Sequence, residues 1–208
     1  MTYILMEFIE GEPIGKGWEE RPMAERESFL RELRGYFEQL RTIPHPRTGS
    51  IMAADMQSLY DHRIWQGELG FGPFRDEADF NLFLRNGVCK ESDILIPTKS
   101  DIPEDDRKLM TKLVDVHAEK SHEIYFTHGD ASSSNILVRN GKVAALIDFE
   151  MSGFFPEYWE YTTAMNVNRG DGFWQAEIGK FLKPYPEEWE AEKIRLLFWG
   201  RKGYRGMA

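Results

Sequence analysis

Three oxygen-bearing side chains fall within one short stretch, YFTHGDASSSNILVRNGKVAALIDFE from Tyr125 to Glu150: Asp130, Asn135 five residues later, and Asp148. Carboxylate and amide oxygens are the ligands that a hard divalent cation prefers, and Mg²⁺ is usually held by one or two such side chains together with substrate phosphates. Asn135 and Asp148 supply two of these oxygens. Asp130 is then left as a carboxylate able to take the proton of a hydroxyl that attacks phosphorus. The elements that must position the three are legible around them. Ile124 to Thr127 reads as a short apolar strand, and the Asn140-Gly141 pair predicts a type I′ hairpin turn, because both central residues of that turn need φ > 0. The predicted arms are Ile136 to Arg139 and Lys142 to Asp148. A hairpin brings the end of its second arm beside the start of its first, so Asp148 is expected near Asn135, with Asp130 one loop away.

The Asp-x-x-x-x-Asn spacing followed by Asp-Phe is that of the protein-kinase catalytic loop and its metal-binding aspartate. His-Gly-Asp alone is a tripeptide met by chance in surface turns. The full set, HGDASSSN, then IDFE, then PEYWEY, resembles the aminoglycoside phosphotransferase and choline-kinase-like family, its fungal members in particular. The resemblance implies Asp130 as catalytic base, Asn135 and Asp148 as metal ligands, and His128 as the structural residue that props the loop. It implies Mg²⁺ as cofactor and ATP as phosphate donor. It further implies an α+β fold, a protein-kinase-like C-terminal lobe that is mainly helical with a small catalytic-loop β-hairpin. Two positions depart from the protein-kinase pattern: Glu150 stands where a glycine is usual, and Ser132 where many protein kinases carry a lysine. The second departure favours a small molecule over a protein as acceptor.

Residues Thr2 to Ile9 read as a strand closed by Gly11-Glu12-Pro13. By resemblance, residues 1–10 are the last strand of an N-terminal lobe and its hinge, with the backbone of Glu7, Phe8 and Ile9 meeting adenine, and residues 11–208 are the C-terminal lobe of a single domain. An ordinary edge strand is the alternative. The sequence holds neither G-x-x-x-x-G-K-[ST] nor G-x-G-x-x-G, and no strand lysine precedes the hinge-like stretch. The expectation is therefore a truncated member that lacks the N-terminal lobe.

The 208 residues are enough for one substantial core or two small ones, and 41% hydrophobic with 29% charged residues is ordinary for a globular protein. A net charge of −9 argues against a nucleic-acid partner, which requires a basic face, and favours a cationic small molecule. The single cysteine, Cys89, permits neither an internal disulfide nor a cysteine-rich zinc site. No stretch approaches the length of a membrane span, and the apolar opening is interrupted by Glu7 and Glu10 without a preceding basic residue. A cytoplasmic protein is expected.

Apolar spacing predicts the remaining helices. Arg26 to Ile43 places Phe29, Leu30, Leu33, Tyr36, Phe37 and Leu40 on one face. Gly49 to Pro73 reads as irregular. Asp76 is an N-cap for a helix to Arg85, and Asn86-Gly87 ends it. A helix starting at Pro103, with the stripe Leu109, Met110, Leu113, Val114 and His117, is expected to be the central one of the lobe. Pro156 to Val167, Gly172 to Leu182 and Pro186 to Trp199 complete the set. Glu157 and Glu160 could bind a cationic substrate, could hold the catalytic loop or could be solvated. Arg169-Gly170-Asp171 matches an adhesion tripeptide and reads as a turn by chance, and Arg201 to Arg205 reads as a frayed end.

Two functions compete on these grounds. One is a small-molecule O-phosphotransferase, which the Asp130, Asn135 and Asp148 set favours. The other is a catalytically weak or inactive kinase-like binding or regulatory remnant, which the missing lysine and glycine-rich loop favour.

Overall fold

A computed structural model describes residues 7–64, 69–89, 103–167 and 170–200. Among the described residues, six helices and two small antiparallel sheets make a mixed α+β fold. The helices are α1 (Met23–Leu40), α2 (Glu77–Leu84), α3 (Glu104–Glu119), α4 (Trp159–Met165), α5 (Gly172–Phe181) and α6 (Pro186–Trp199). The strands are β1 (Glu12–Pro13), β2 (Ile124–Thr127), β3 (Ile136–Arg139), β4 (Lys142–Leu146) and β5 (Gly153–Pro156).

The expected hairpin is β3-β4. Asn140 and Gly141 both take positive φ, at 52° and 71°, and Arg139 pairs with Lys142 across the turn. A register shift at Leu137/Val138 bends it, and β4 ends at Leu146, two residues short of the expected arm. β1 adds to the outer side of β3, with Glu12 opposite Val138 and Pro13 opposite Leu137. An edge strand of two residues is where proline can sit, since no further ladder needs its missing N–H.

The expected strand from Thr2 to Ile9 is corrected at its described end only. Thr2 to Met6 lie outside the described residues. Glu7, Phe8 and Ile9 form no strand, and Phe8 is 85% exposed. A strand exists only where a ladder partner is present, and the ladder starts at Glu12. Glu10 meanwhile pairs with Arg139 at the far end of the hairpin, at 2.9 Å.

The second sheet joins β2 to β5 in the register Ile124↔Pro156 to Thr127↔Gly153. β5 lies where the sequence suggested a helix from Pro156, and that helix begins only at Trp159. Gly153 tolerates no side chain there: a Cβ would stand 2.4 Å from Leu59 Cδ2 and 2.9 Å from the Met52 carbonyl oxygen.

Helix α1 is shifted three residues toward the N-terminus of the expected span. Its last turn unwinds through 3₁₀-type bonds from Thr42 and Ile43 to Gln39 and Leu40. Phe29, Leu30, Leu33 and Phe37 are buried and Leu40 is partly so, but Tyr36 faces out. The main core packs this face against α4, α5 and the paired strands. Phe37 meets Phe181 at 5.5 Å, Trp18 meets Trp174 edge-on at 5.1 Å, and Phe155 stacks on Trp159 at 5.4 Å with Phe80 across its face. Helix α3 is not central. It packs Met110 and Leu113 on Ala191, Ile194 and Phe198 of α6, in a separate and smaller cluster. The stretch expected to be irregular between Gly49 and Pro73 has no long strand, yet its described part sends several side chains into the core. Ile51, Met52, Leu59, Ile64 and Phe71 are all 5% exposed or less, fastened by isolated bridges to Phe74, Phe154, Phe71 and Gly200. Among the described residues no helix is long and apolar enough to cross a membrane.

Candidate active site

The loop from His128 to Asn135 leaves β2 and enters β3, and nearly all of it is gripped through its main chain. His128 is buried, with Nδ1 accepting from the Asp130 N–H at 3.2 Å and Nε2 facing the Ile147 carbonyl at 2.9 Å. Those partners require the proton on Nε2. The ring lies 4.3 Å from Phe149. His128 therefore ties the loop to the end of β4.

Gly129 is required on two grounds. Its φ is +86°, and a Cβ there would sit 2.4 Å from the Met151 carbonyl oxygen, a backbone atom that cannot swing away. Glu160 of α4 reaches under the loop and accepts the N–H groups of His128 at 2.7 Å and Gly129 at 3.1 Å. Burial pushes the Glu160 carboxyl above its ordinary pKa, against the pull of His128 and the two amides. Of the readings open to Glu160 in the sequence, the structure shows the loop-holding one. Glu157 faces Arg41, Lys183 and the Tyr185 hydroxyl instead.

The far end of the loop is held from α5. Asp171 accepts from the Ser133 N–H at 3.1 Å and from its hydroxyl, and Trp174 Nε1 donates to the Ala131 carbonyl at 2.9 Å. Asp171 was legible only as part of a chance tripeptide, whose Arg169 lies outside the described residues. Ser133 and Asn135 belong to one 3₁₀ turn that feeds β3.

Asp130 and Asn135 are in direct contact. Asn135 Nδ2 donates to Asp130 Oδ2 at 2.9 Å and to the Asp130 carbonyl at 3.3 Å. This orients the amide so that Oδ1 points elsewhere, with only a marginal 3.5 Å contact from Ser134. It also leaves Asp130 Oδ1 without a protein donor among the described residues. Asp148 follows Ile147, whose N–H donates to the Asn135 carbonyl at 2.9 Å. Its backbone is left-handed, at φ 65° and ψ 65°, and its exposed carboxylate makes no hydrogen bond or ion pair among the described residues. Asp130 and Asn135 thus meet by their side chains, while Asp148 is linked to them only through its neighbour, whose N–H reaches the Asn135 carbonyl. Glu150 is exposed beside them.

Among the described residues no three His, Cys, Asp or Glu side chains form a metal cage. Mg²⁺ does not need one. The uncommitted Asn135 Oδ1 and Asp148 carboxylate are hard oxygen donors of the kind that ion takes alongside phosphate and water. Glu7, Phe8 and Ile9 lie in an extended stretch ahead of β1, apart from any hydrogen bond to this loop among the described residues.

A family model described as "Phosphotransferase enzyme family" matches residues 1–194. No curated protein sequence matches the chain. Among solved structures, a thermostable mutant of aminoglycoside phosphotransferase APH(4)-Ia in ternary complex with AMP-PNP and hygromycin B superposes with a TM-score of 0.55 at 17% identity, covering 91% of this chain and 60% of that one. The gentamicin complex of APH(2")-IIa gives 0.52 at 14% identity, covering 91% and 58%. ADP-bound APH(2'')-Ib gives 0.52 at 13% identity, covering 90% and 58%. At these identities the likeness is one of fold. The chain spans about three fifths of the length of the structures it matches.

Proposed function

Because the chain belongs to the phosphotransferase enzyme family, we propose that it carries the acceptor-side and metal-binding half of a small-molecule O-phosphotransferase, moving a phosphoryl group from ATP to a hydroxyl. The observation that carries this reading is the Asp130 carboxylate, one oxygen fixed by Asn135 at 2.9 Å and the other uncommitted. A base for phosphoryl transfer needs this arrangement: a carboxylate that cannot rotate away, with one lone pair free for the acceptor proton. Asn135 Oδ1 and Asp148 would hold Mg²⁺, which when bound would offset the negative charge of the nucleotide phosphates. Asp130 orients the hydroxyl and takes its proton as the oxygen closes on phosphorus. The remaining residues of the loop supply rigidity, because positioning and charge stabilisation are most of what a protein adds to this reaction.

The acceptor class follows from charge. A chain of net charge −9, with the exposed Asp148 and Glu150 beside the site, favours a cationic polyhydroxyl amine over an anionic substrate. The hygromycin B and gentamicin complexes of the similar folds lie in the same chemical class. Glu7, Phe8 and Ile9 are assigned to the adenine edge by the family resemblance. A cytoplasmic setting supplies the ATP.

The test is calorimetric titration with Mg·ATP, run beside a phosphate-transfer assay on a panel of amino alcohols and aminoglycosides. Transfer abolished by Asp130→Ala with Mg·ATP binding retained supports the proposal. Binding absent from the full chain, or transfer indifferent to Asp130→Ala, overturns it and leaves the regulatory remnant.

A further inference from the structure

Gly129 is held at both its polar groups by opposite charges. Its N–H goes to the buried Glu160 carboxylate, and its carbonyl accepts from Arg63 Nη2. Arg63 comes from the strandless stretch before α2, 66 residues earlier in the chain. Nothing local in the sequence connects the two.

The arginine is itself tightly aimed. Asp61, two residues before it, accepts the Arg63 backbone N–H at 2.8 Å, Nε at 2.9 Å and Nη2 at 2.7 Å. The Arg63 side chain is 14% exposed and that of Asp61 is 1% exposed. A planar guanidinium pinned at Nε and Nη2 by one carboxylate has no rotational freedom left, so the direction of its remaining N–H bonds is fixed. Burial opposes the charge on Arg63, but Asp61 and, more distantly, Asp130 and Glu192 outweigh it. The Glu192–Arg195 pair of α6 lies close behind, Arg195 Nη2 contacting Glu192 at 2.6 Å and feeling Asp61 in turn. Four charges of alternating sign therefore sit under the loop.

The Gly129 carbonyl belongs to the same peptide plane as the Asp130 N–H, which His128 Nδ1 accepts. Fixing that carbonyl fixes the plane, and the plane sets the direction in which Asp130 leaves the backbone. We propose that Arg63, aimed by Asp61, is a positioning residue for Asp130, acting through the Gly129 carbonyl. The inference rests on the phosphotransfer reading for its kinetic consequence but not for its structural one. A lysine in place of Arg63 keeps the charge but cannot grip a carboxylate with two nitrogens and a carbonyl with the same fork.

The experiment uses the full chain in three forms beside wild type: Arg63→Met, Arg63→Lys, and the double variant Asp61→Asn/Arg63→Met, which removes both charges and so leaves no unpaired carboxylate to unfold the protein. Two readouts are taken. Hydrogen exchange is followed at the His128, Gly129 and Asp130 amides with the α1 amides as internal reference, and steady-state hydrolysis of Mg·ATP is measured with water as acceptor. In the folded double variant, exchange at the three loop amides should rise about tenfold or more relative to α1. The kcat should fall about 10- to 100-fold with KM for Mg·ATP within about twofold, since a misdirected base costs the chemical step and not nucleotide binding. Arg63→Lys should remain within about threefold of Arg63→Met. Unchanged exchange at the loop in a folded variant overturns the proposal, as does a raised KM with kcat intact or full rescue by lysine. If wild type does not hydrolyse Mg·ATP, the phosphotransfer reading is what fails, and the exchange comparison alone decides the positioning role.

Discussion

Replacing Glu160 with alanine strips the His128 and Gly129 amides of their acceptor in a place closed to water. Each buried donor left without a partner costs about 1–3 kcal/mol, so the two together cost about 2–6 kcal/mol before relaxation. One effect works the other way. The carboxyl is buried and its pKa is raised, so its charge opposes folding, and removing it returns part of the loss. Glu160→Gln separates the two contributions. It keeps the volume and one carbonyl oxygen, so one amide stays satisfied and the cost is about 1–3 kcal/mol. The order of stability should be wild type, then Gln, then Ala. Urea unfolding followed by tryptophan fluorescence reads it, with a constant m-value as the check that the native state is unchanged. The pH dependence has a definite sign. The folded protein holds the Glu160 proton more tightly than the unfolded chain, so ionisation costs stability as pH rises from the ordinary carboxyl value near 4.5 through the raised folded value. Glutamine does not titrate, so wild type should gain on Glu160→Gln as pH falls through that window. An alanine variant within about 0.5 kcal/mol of wild type, inside the range of ordinary surface changes, would refute the reasoning.

Gly129→Ala should be severely damaging: left-handed backbone costs about 1–2 kcal/mol and the 2.4 Å approach to Met151 adds to it, so loss of soluble folded protein or a melting temperature lower by about 8 °C or more is expected in a thermal scan. His117, half-buried with its Nδ1 closed to solvent and unpartnered, has its pKa lowered to about 3, chiefly by desolvation. The unfolded chain protonates it near 6.5 and the fold does not, so wild type should lose up to about 1.4 kcal/mol per pH unit against His117→Phe as pH falls from 6.5 toward 3, measured by urea midpoints. Asp171→Ala frees the Ser133 amide and hydroxyl, and a destabilisation of about 2–4 kcal/mol is expected, with faster exchange at Ser133 but not in α3.

How far the chain could be read in advance divides along contact range. The β3-β4 hairpin was legible because Asn140-Gly141 carries its conformational demand within two residues. Helix α6 was legible at both ends, with Pro186 at its first turn and Gly200 just beyond it. Strand β5 was not. Gly153 and Pro156 look like breakers in isolation, and only pairing with β2, together with the closeness of Leu59 and Met52, makes a glycine there necessary. In the candidate site, Asp130, Asn135 and Asp148 could be nominated from spacing, His128 as a prop from the resemblance and Glu160 as one option among several, whereas Asp171 and Arg63 could not. Glu160, Asp171 and Arg63 bind the loop from 31, 38 and 66 residues away. Arg63 had one local signal, the Asp-x-Arg spacing, which is common to many surface ion pairs. The stretch from Gly49 to Pro73 is irregular as expected, but the anchoring of its buried residues was not legible, for a related reason. Its bridges are single pairs, and no run of alternation announces them.

The main-chain grip on the loop separates two jobs that proteins often load onto the same atoms. Glu160, Arg63 and Trp174 hold amides and carbonyls, and none of them touches the Asp130 or Asn135 side chain. The Asp130 carboxylate can therefore be deleted at the cost of one hydrogen bond, and the peptide that bore it stays where it was. On the proposed function, a chain altered only at Asp130 should be a folded copy of the native protein that no longer transfers phosphate. Immobilised with Mg·ATP, such a copy would hold an acceptor that wild type would release as product, making the protein a reagent for finding its own substrate in a metabolite extract.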